Sequence, residues 1–397
     1  MKKSLVALAA LAVVGAASAQ STVTLYGVVD MAVSQLSDKN NTNATNTAGV
    51  ATLGGLAAGG QSTKNGITSG ILSRSRFGLK GTEDLGGGLK ANFVLEYQVQ
   101  PDEATTTMAN RVGTVGLSGN FGALTVGRQY TPYHVVQAAM DLYGNLNDTP
   151  GYVVNAHNRA RNSNSVQYAS PSFGGFSAIA QVGAGSAAGA AETAVVGTLG
   201  QQADGKSFGL AGIYAAGPLV AGLAYDSVTN PGAQLSGFAP ITGTTYIAGF
   251  GTTAATAIGT NADGTVKLGA AATDFSKEVK VWAAGASYDF TVVKASLAYS
   301  SLTDTKLVGN DVTSKGWNAS IAAPFGAVTV LGNLGRANVQ KDAGIDATIT
   351  GFQLGANYAL SKRTTAYALV GRDKLAAASF TGDFTRQTTA VGVRHTF

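Results

Sequence analysis

Residues 386–397 read RQTTAVGVRHTF. Thr389, Val391, Val393, His395 and Phe397 share one parity; Arg386, Thr388, Ala390, Gly392 and Arg394 share the other. A period of two is strand geometry, because successive side chains of a β-strand point to opposite faces. Termini of soluble domains are usually frayed and polar. An alternating segment that closes on Phe therefore predicts an end tied into a sheet. Two architectures offer such a place: the edge of a soluble β-protein, and the closing strand of a membrane-spanning barrel with aromatic girdles at the membrane boundaries.

The opposite end bears on that choice. Met1-Lys2-Lys3 is a short basic segment, residues 5–17 are apolar and uncharged, and Ala17-Ser18-Ala19 has the small-x-small form of a cleavage site. This pattern predicts a secretory signal over 1–19, with Gln20 starting the mature chain. There is no cysteine, so neither disulfides nor thiolate metal sites are available. Charged residues make up only 12% and glycine contributes 53 positions. Beyond the signal no run of 18 apolar residues occurs, which excludes a transmembrane helix from the reading. Removing Lys2 and Lys3 takes the formal charge from +5 to +3, far from a nucleic-acid-binding footprint. No Pro/Ser linker divides residues 20–397, which are read as a single domain.

Along that domain, alternating segments of roughly ten residues recur, as a transmembrane barrel requires. About sixteen strands are expected, near 22–35, 72–83, 89–100, 110–119, 122–131, 163–171, 176–185, 207–217, 219–229, 279–290, 292–303, 315–324, 327–339, 347–360, 363–374 and 386–397. Very short turns such as Gly119-Asn120-Phe121-Gly122, Gly217-Pro218 and Pro324-Phe325-Gly326 alternate with long connections at 36–70, 132–160, 186–206, 230–277 and 376–385. Short turns on one rim and long loops on the other are the topology of an outer-membrane barrel, and an even strand number returns both ends to one side. The expected fold is all-β: a sixteen-stranded antiparallel transmembrane barrel with closed edges.

Parity assigns the faces. Phe77 and Leu79 oppose Arg74, Arg76 and Lys80; Phe93, Leu95, Tyr97 and Val99 oppose Asn92, Glu96 and Gln98. Leu25, Val29 and Val33 oppose Asp30 and Ser34; Val166 and Tyr168 oppose Arg159, Arg161, Ser163, Ser165 and Gln167. An Arg at the bilayer midplane costs about 2–4 kcal/mol on the lipid face, so the charged face is read as a watery lumen. Such a lumen, with Arg and Glu and no apolar filling, is a conduit. Arg111 and Arg128 share parity with the apolar residues of their own strands, which predicts either a bulge that shifts register or a place at the rim or a subunit interface.

Three stretches carry a resemblance: Thr24-Leu25-Tyr26-Gly27-Val28-Val29-Asp30, residues 75–91 (SRFGLKGTEDLGGGLKA), and Gly127-Arg128-Gln129-Tyr130-Thr131-Pro132. Together with the ending at Phe397, they resemble the general porins of Gram-negative β-proteobacteria, over the whole mature chain. The resemblance implies a trimeric outer-membrane barrel whose third loop, here 132–160, folds inward and narrows the lumen. It implies basic wall residues at Arg76, Arg111 and Arg161 or Arg159, with Arg74, Lys80 and Arg128 nearby. These would face acidic partners at Glu96 and at Asp141 or Asp148 of the loop. It implies outer-membrane lipid and lipopolysaccharide as surroundings, and the barrel-assembly machinery as a partner recognising Phe397. The function it implies is passive diffusion of ions and small hydrophilic solutes, without cofactor or metal; the excess of wall arginines adds a weak anion preference.

Other motifs carry less. Residues 200–207 (GQQADGKS) match the phosphate-loop pattern letter for letter, but that loop needs a helix after it, and Phe208 to Ala216 alternate as a strand. His134, His157 and His395 lack metal-ligand spacing. A barrel hydrolase using His134 or His157 as base is the enzymatic alternative, and no nucleophile elbow supports it. A substrate-selective channel or a loop-borne adhesin are the alternatives that share the barrel.

Overall fold

The computed structural model describes residues 22–41, 60–104, 108–143, 160–184, 206–229, 257–260, 266–268, 275–308, 311–341, 346–377 and 382–397. The first half of these residues forms β1 (Thr22–Asn40), β2 (Gln61–Ser69), β3 (Arg76–Gly86), β4 (Leu89–Gln98), β5 (Ala109–Gly119), β6 (Gly122–Tyr130), helix α1 (Pro132–Met140), β7 (Arg161–Ala169), β8 (Phe176–Gly183), β9 (Lys206–Ala216) and β10 (Leu219–Thr229). The second half forms β11 (Ala257–Thr260), β12 (Val266–Leu268), β13 (Phe275–Asp289), β14 (Lys294–Val308), β15 (Val312–Phe325), β16 (Val328–Lys341), β17 (Asp346–Ala359), β18 (Thr364–Ala377) and β19 (Phe384–Thr396).

Every pairing is antiparallel, and β1 closes on β19 from Val28↔Thr396 to Asn40↔Phe384. β2 pairs the later half of β1 and β3 the earlier half, so the two share one place in the wall. The result is a closed sixteen-stranded barrel. The backbone of Phe397 continues the seam: Gly27 N–H donates to Phe397 O and Phe397 N–H to Gly27 O, both at 3.1 Å. Closure leaves no unpaired edge, which hydrocarbon would penalise.

Two expectations need correction. The connection 36–70 is shorter than its polarity implied, because β1 continues to Asn40 and β2 occupies Gln61–Ser69. Both faces of β2 are polar, so no apolar alternation marks it. Its side chains instead form a cross-strand ladder, Ser34–Thr68 at 2.7 Å, Gln35–Asn65 at 2.9 Å and Ser37–Thr63 at 3.3 Å. The connection 230–277 carries the β11–β12 hairpin, and β13 already begins at Phe275. Lys206 and Ser207 of the phosphate-loop match open β9, so a strand follows that match where a nucleotide site needs a helix.

The faces are inverted relative to a water-soluble protein. Leu25, Val33, Leu223 and Val391 are 58%, 67%, 60% and 61% exposed, whereas Asp30, Asn318 and Gln353 are at most 1% exposed. Large apolar side chains cover the outside and polar ones line the inside, the arrangement that a lipid surround selects. No described helix is long and apolar enough to cross a membrane; crossing falls to the strands.

Candidate functional site

The lumen is narrowed by α1 and the residues after it. A nine-residue helix is too short to persist alone in water. Here the barrel wall holds it. Thr131 caps the N-terminus, its side chain accepting from His134 N–H at 3.2 Å, and Pro132 occupies the first turn. Asp226 of β10 accepts from Tyr133 N–H at 2.7 Å, which sets a carboxylate at the positive end of the helix. At the other end Ser296 of β14 donates to Met140 O at 2.7 Å.

Packing completes the attachment. Tyr133 and Val136 are buried against Ala211, Ala224, Val279, Val281, Ala283 and Leu302. Burial of each such side chain contributes roughly 1.5–3 kcal/mol. The wall is cleared for the helix: a Cβ at Gly222 would lie 3.0 Å from Val136 Cγ1, and one at Gly285 would lie 2.7 Å from Met140 Cγ. Tyr143 then reaches a second cluster with Ala32, Leu331, Tyr367 and Leu369. The loop thus follows the inner wall from β9 round to β18 and β1.

The wall from β3 to β7 carries the charges. Glu96 of β4 is 7% exposed and accepts from Arg111 Nε at 2.6 Å and from the Tyr26 hydroxyl at 3.1 Å. Arg76 Nε lies 3.5 Å from Oε2, the oxygen that accepts from Tyr26. Arg111 also donates to Gln98 Oε1 at 3.2 Å and to the Tyr130 hydroxyl at 3.1 Å. Arg161 donates to that same hydroxyl at 2.9 Å, with its guanidinium 4.4 Å from the Tyr130 ring centroid. Arg76 and Arg111 therefore meet one carboxylate directly, and Arg161 joins them through the Tyr130 hydroxyl that it shares with Arg111. His134 stacks on the far side of Tyr130, the centroids 4.6 Å apart. Burial, followed by the positive charges of Arg161 and Arg111, pushes its imidazole down to about 3, so it is neutral at physiological pH.

A bulge in β5 resolves the parity of Arg111, whereas the bulge beside Arg128 lies in β7 and leaves Arg128 on the face of Leu124 and Val126. Glu96 pairs with Val112 and Tyr97 with Asn110, so Arg111 is an extra residue on β5 and turns to Glu96. Gly127 pairs with Ser165 and Gln129 with Asn162, which sets Ser163 and Asn164 against Arg128 alone; Asn164 takes φ 49° there. This slip turns Asn162, 3% exposed, to the inside in place of Ser163. Arg128 donates to Asn110 O at 3.1 Å and to Ser163 Oγ at 2.8 Å.

Of the residues read from sequence, the structure brings together Arg76, Arg111, Arg161 and Glu96. Lys80 flanks them, its Nζ 5.3 Å from the Tyr26 ring centroid. Arg74 contributes its carbonyl, which accepts from Arg76 Nη1 at 3.0 Å. Asp141 ends α1, with Oδ1 accepting from Tyr143 N–H at 2.9 Å. Arg159, Asp148 and His157 lie outside the described residues. Sequence reasoning set Gln98 on the lumen face and missed Tyr26, Tyr130, Asp226 and Ser296. Tyr26 and Tyr130 stand inside two of the stretches that carry the resemblance. Asp226 and Ser296 have no local signal, because their role is defined by a helix that docks from far along the chain.

Known proteins agree with this geometry. The chain matches the family described as Gram-negative porin over residues 5–257 and 242–377. It is 32% identical to outer membrane porin protein 32 of Delftia acidovorans, covering 92% of this chain and 88% of that protein. It is 29% identical to an outer membrane porin protein of Bordetella pertussis, covering 100% of both chains. Among solved structures, the anion-selective porin from Comamonas acidovorans superposes with a TM-score of 0.65 at 25% identity, over 95% of this chain and 100% of that one. A barrel open to water, a loop docked inside it, charged residues at the narrowing and these relatives lead to one conclusion: the chain belongs to the Gram-negative porin family, outer-membrane channels rather than enzymes.

Proposed function

We propose that this porin passes ions and small hydrophilic solutes passively, with a weak preference for anions. The observation that carries the preference is that Arg76 and Arg111 meet the single carboxylate of Glu96 while Arg161 joins the cluster through the Tyr130 hydroxyl, three guanidinium groups to one carboxylate. A transverse field with an excess of fixed positive charge lowers the energy of an anion at the narrowing and raises that of a cation. Lys80 extends the basic wall, Arg74 lies beside it, Arg128 sits at its margin against Asn110 and Ser163, and Asp141 and Asp148 are the acidic residues of the loop. The anion selectivity of the Comamonas relative supports the same direction. The test is the reversal potential of the purified protein in a planar bilayer under a potassium chloride gradient. An anion-favouring potential is expected; a cation-favouring one rejects the preference.

In the same reading, residues 1–19 direct export and are removed, and the mature chain assembles as a homotrimer, which three equal closing steps in the bilayer trace would report. Outer-membrane lipid surrounds the apolar face. The exposed basic residues Lys280, Lys315 and Arg336 suit the phosphates of lipopolysaccharide. Phe397 serves as the signal read by the assembly machinery.

A further inference from the structure

The second place in the wall is built from two pieces, and the join is not a simple bend. β2 pairs with β1 up to Met31↔Ser69, and β3 resumes at Val28↔Arg76. Residues 70–75 leave the ladder between these points. Gly70 makes the departure with φ 77°, a left-handed conformation that glycine adopts without strain. The excursion runs inside the barrel: Leu72 is 1% exposed and packs with Ala32, Leu331, Tyr367 and Leu369 of the wall and with Tyr143 of the inward loop.

Asp30 gathers the polar groups of this excursion. It is fully buried. Its Oδ2 accepts from Leu72 N–H and Ser73 N–H, both at 2.6 Å, and its Oδ1 accepts from the Tyr367 hydroxyl at 2.6 Å. Its own N–H donates to Ser75 Oγ at 3.0 Å, and its carbonyl accepts from Gly70 N–H at 2.9 Å. Three short bonds to one carboxylate are charge-assisted and roughly twice as strong as neutral ones. The far end of the excursion is functional. Arg76 Nη1 donates to Ser73 Oγ at 3.1 Å while its Nε faces Glu96. The residue whose backbone Asp30 holds is therefore the residue whose hydroxyl holds Arg76.

We propose that Asp30 is a positioning residue of the channel. It fixes residues 70–75 as a second inward-folded element beside the 132–143 loop, and through Ser73 it sets the Arg76 guanidinium against Glu96. This rests on the reading of Arg76 as part of the charged narrowing. The excursion and the loop brace one another through Leu72 and Tyr143, so loss of the Asp30 anchor loosens both.

The experiment is a double-mutant cycle read in planar bilayers. Asp30→Asn keeps the shape but removes the charge and one of the two acceptor oxygens, so the Leu72 and Ser73 N–H groups and the Tyr367 hydroxyl no longer all meet a carboxylate. It should lower the anion-to-cation permeability ratio about twofold relative to wild type and broaden the open-channel current noise. In an Arg76→Ala background the same change should leave the reversal potential where Arg76→Ala alone put it. A generally loosened barrel would instead shift both backgrounds equally. Tyr367→Phe removes one of the three bonds and keeps the ring, and should act in the same direction, more weakly. It decides the matter by the same criterion if Asp30→Asn does not yield a folded barrel by electrophoretic mobility. Wild-type selectivity and noise in the variants, or equal shifts with and without Arg76, overturn the proposal. The shift is measured against wild type, so a cation-favouring wild type would reject the anion preference and still leave the role of Asp30 readable.

Discussion

Glu96 stands 2.6 Å from Arg111 Nε and 3.5 Å from Arg76 Nε, so it cancels part of the positive field that a passing anion meets. Glu96→Gln keeps a hydrogen-bond acceptor for Arg111 and removes the charge. Unit charges about 4 Å apart interact by about 1 kcal/mol in water and more in a confined lumen, so the anion-to-cation permeability ratio should rise by a factor of roughly 2–5. A reversal potential that stays put or moves toward cations would show that Glu96 does not face the ion path. His134 gives a second test, one of stability. Its folded-state value is depressed to about 3 from 6.5, because it is buried and faces Arg161 and Arg111 across Tyr130. Between those two values the unfolded chain binds the proton and the folded chain does not. Stability therefore rises with pH over that window, is flat with respect to this group above about 6.5, and is lost as pH falls toward 3. His134→Phe keeps the stacking and cannot take up a proton. Its thermal unfolding midpoint should fall less steeply than wild type from pH 6.5 to about pH 4, within that window; parallel curves would remove His134 from the acid response.

Helix α1 is an element defined by what it docks on. Its sequence, PYHVVQAAM, has Pro at the start and apolar spacing, yet nothing local says that Asp226 and Ser296 will hold its two ends. The strands were far more legible, because period-two alternation with a lipid-facing apolar side is a local property of each segment. Two kinds of exception have physical causes. β2 was hidden because it is polar on both faces, and the bulge at Arg111 was signalled only as a conflict between charge and parity. Glycines in the wall under α1 also read ambiguously in sequence: Gly222 and Gly285 are there because Val136 and Met140 occupy the space of a side chain. That contact predicts the effect of Gly285→Leu. The new side chain would meet Met140 and the backbone of Leu297, and the helix is the partner free to move, inward. Single-channel conductance should fall, with the reversal potential little changed, since the arginines lie on the opposite wall. Unchanged conductance in a folded variant would place the ion path away from α1.

The closed wall joins the two ends of the chain, and each end explains the other. The alternation in residues 386–397 foresees a seam, and closure of the barrel foresees the first strand near Leu25 as its partner. The residue that meets Phe397 is Gly27 of the Leu25-Tyr26-Gly27 stretch, which exchanges two backbone hydrogen bonds of 3.1 Å with Phe397 and leaves the room its ring fills. A Cβ there would collide with Phe397 Cζ and would lie 2.7 Å from the backbone oxygen of Arg76, which cannot yield as a side chain can. The inward excursion at 70–75 was invisible for the opposite reason: it depends on Asp30, Tyr367 and Tyr143 meeting across the lumen, and no segment announces such a meeting. Phe397 then carries two separable expectations. As a seam residue it stabilises the folded barrel; as a terminal aromatic outside the barrel it is available for recognition before folding. Deleting Phe397 removes both hydrogen bonds to Gly27 and the ring, and breaks no side-chain hydrogen bond of the Glu96 cluster. Channels that do form should therefore show wild-type conductance and selectivity. The amount of folded, heat-modifiable protein in the outer membrane should drop several-fold, whereas Phe397→Tyr, which keeps an aromatic ring and the backbone pair, should restore it. Refolding of the purified deletion variant in detergent separates the causes. Near wild-type yield there, with poor assembly in cells, assigns the defect to recognition. An equal loss in both assigns it to the seam, and no loss in either removes Phe397 from assembly altogether.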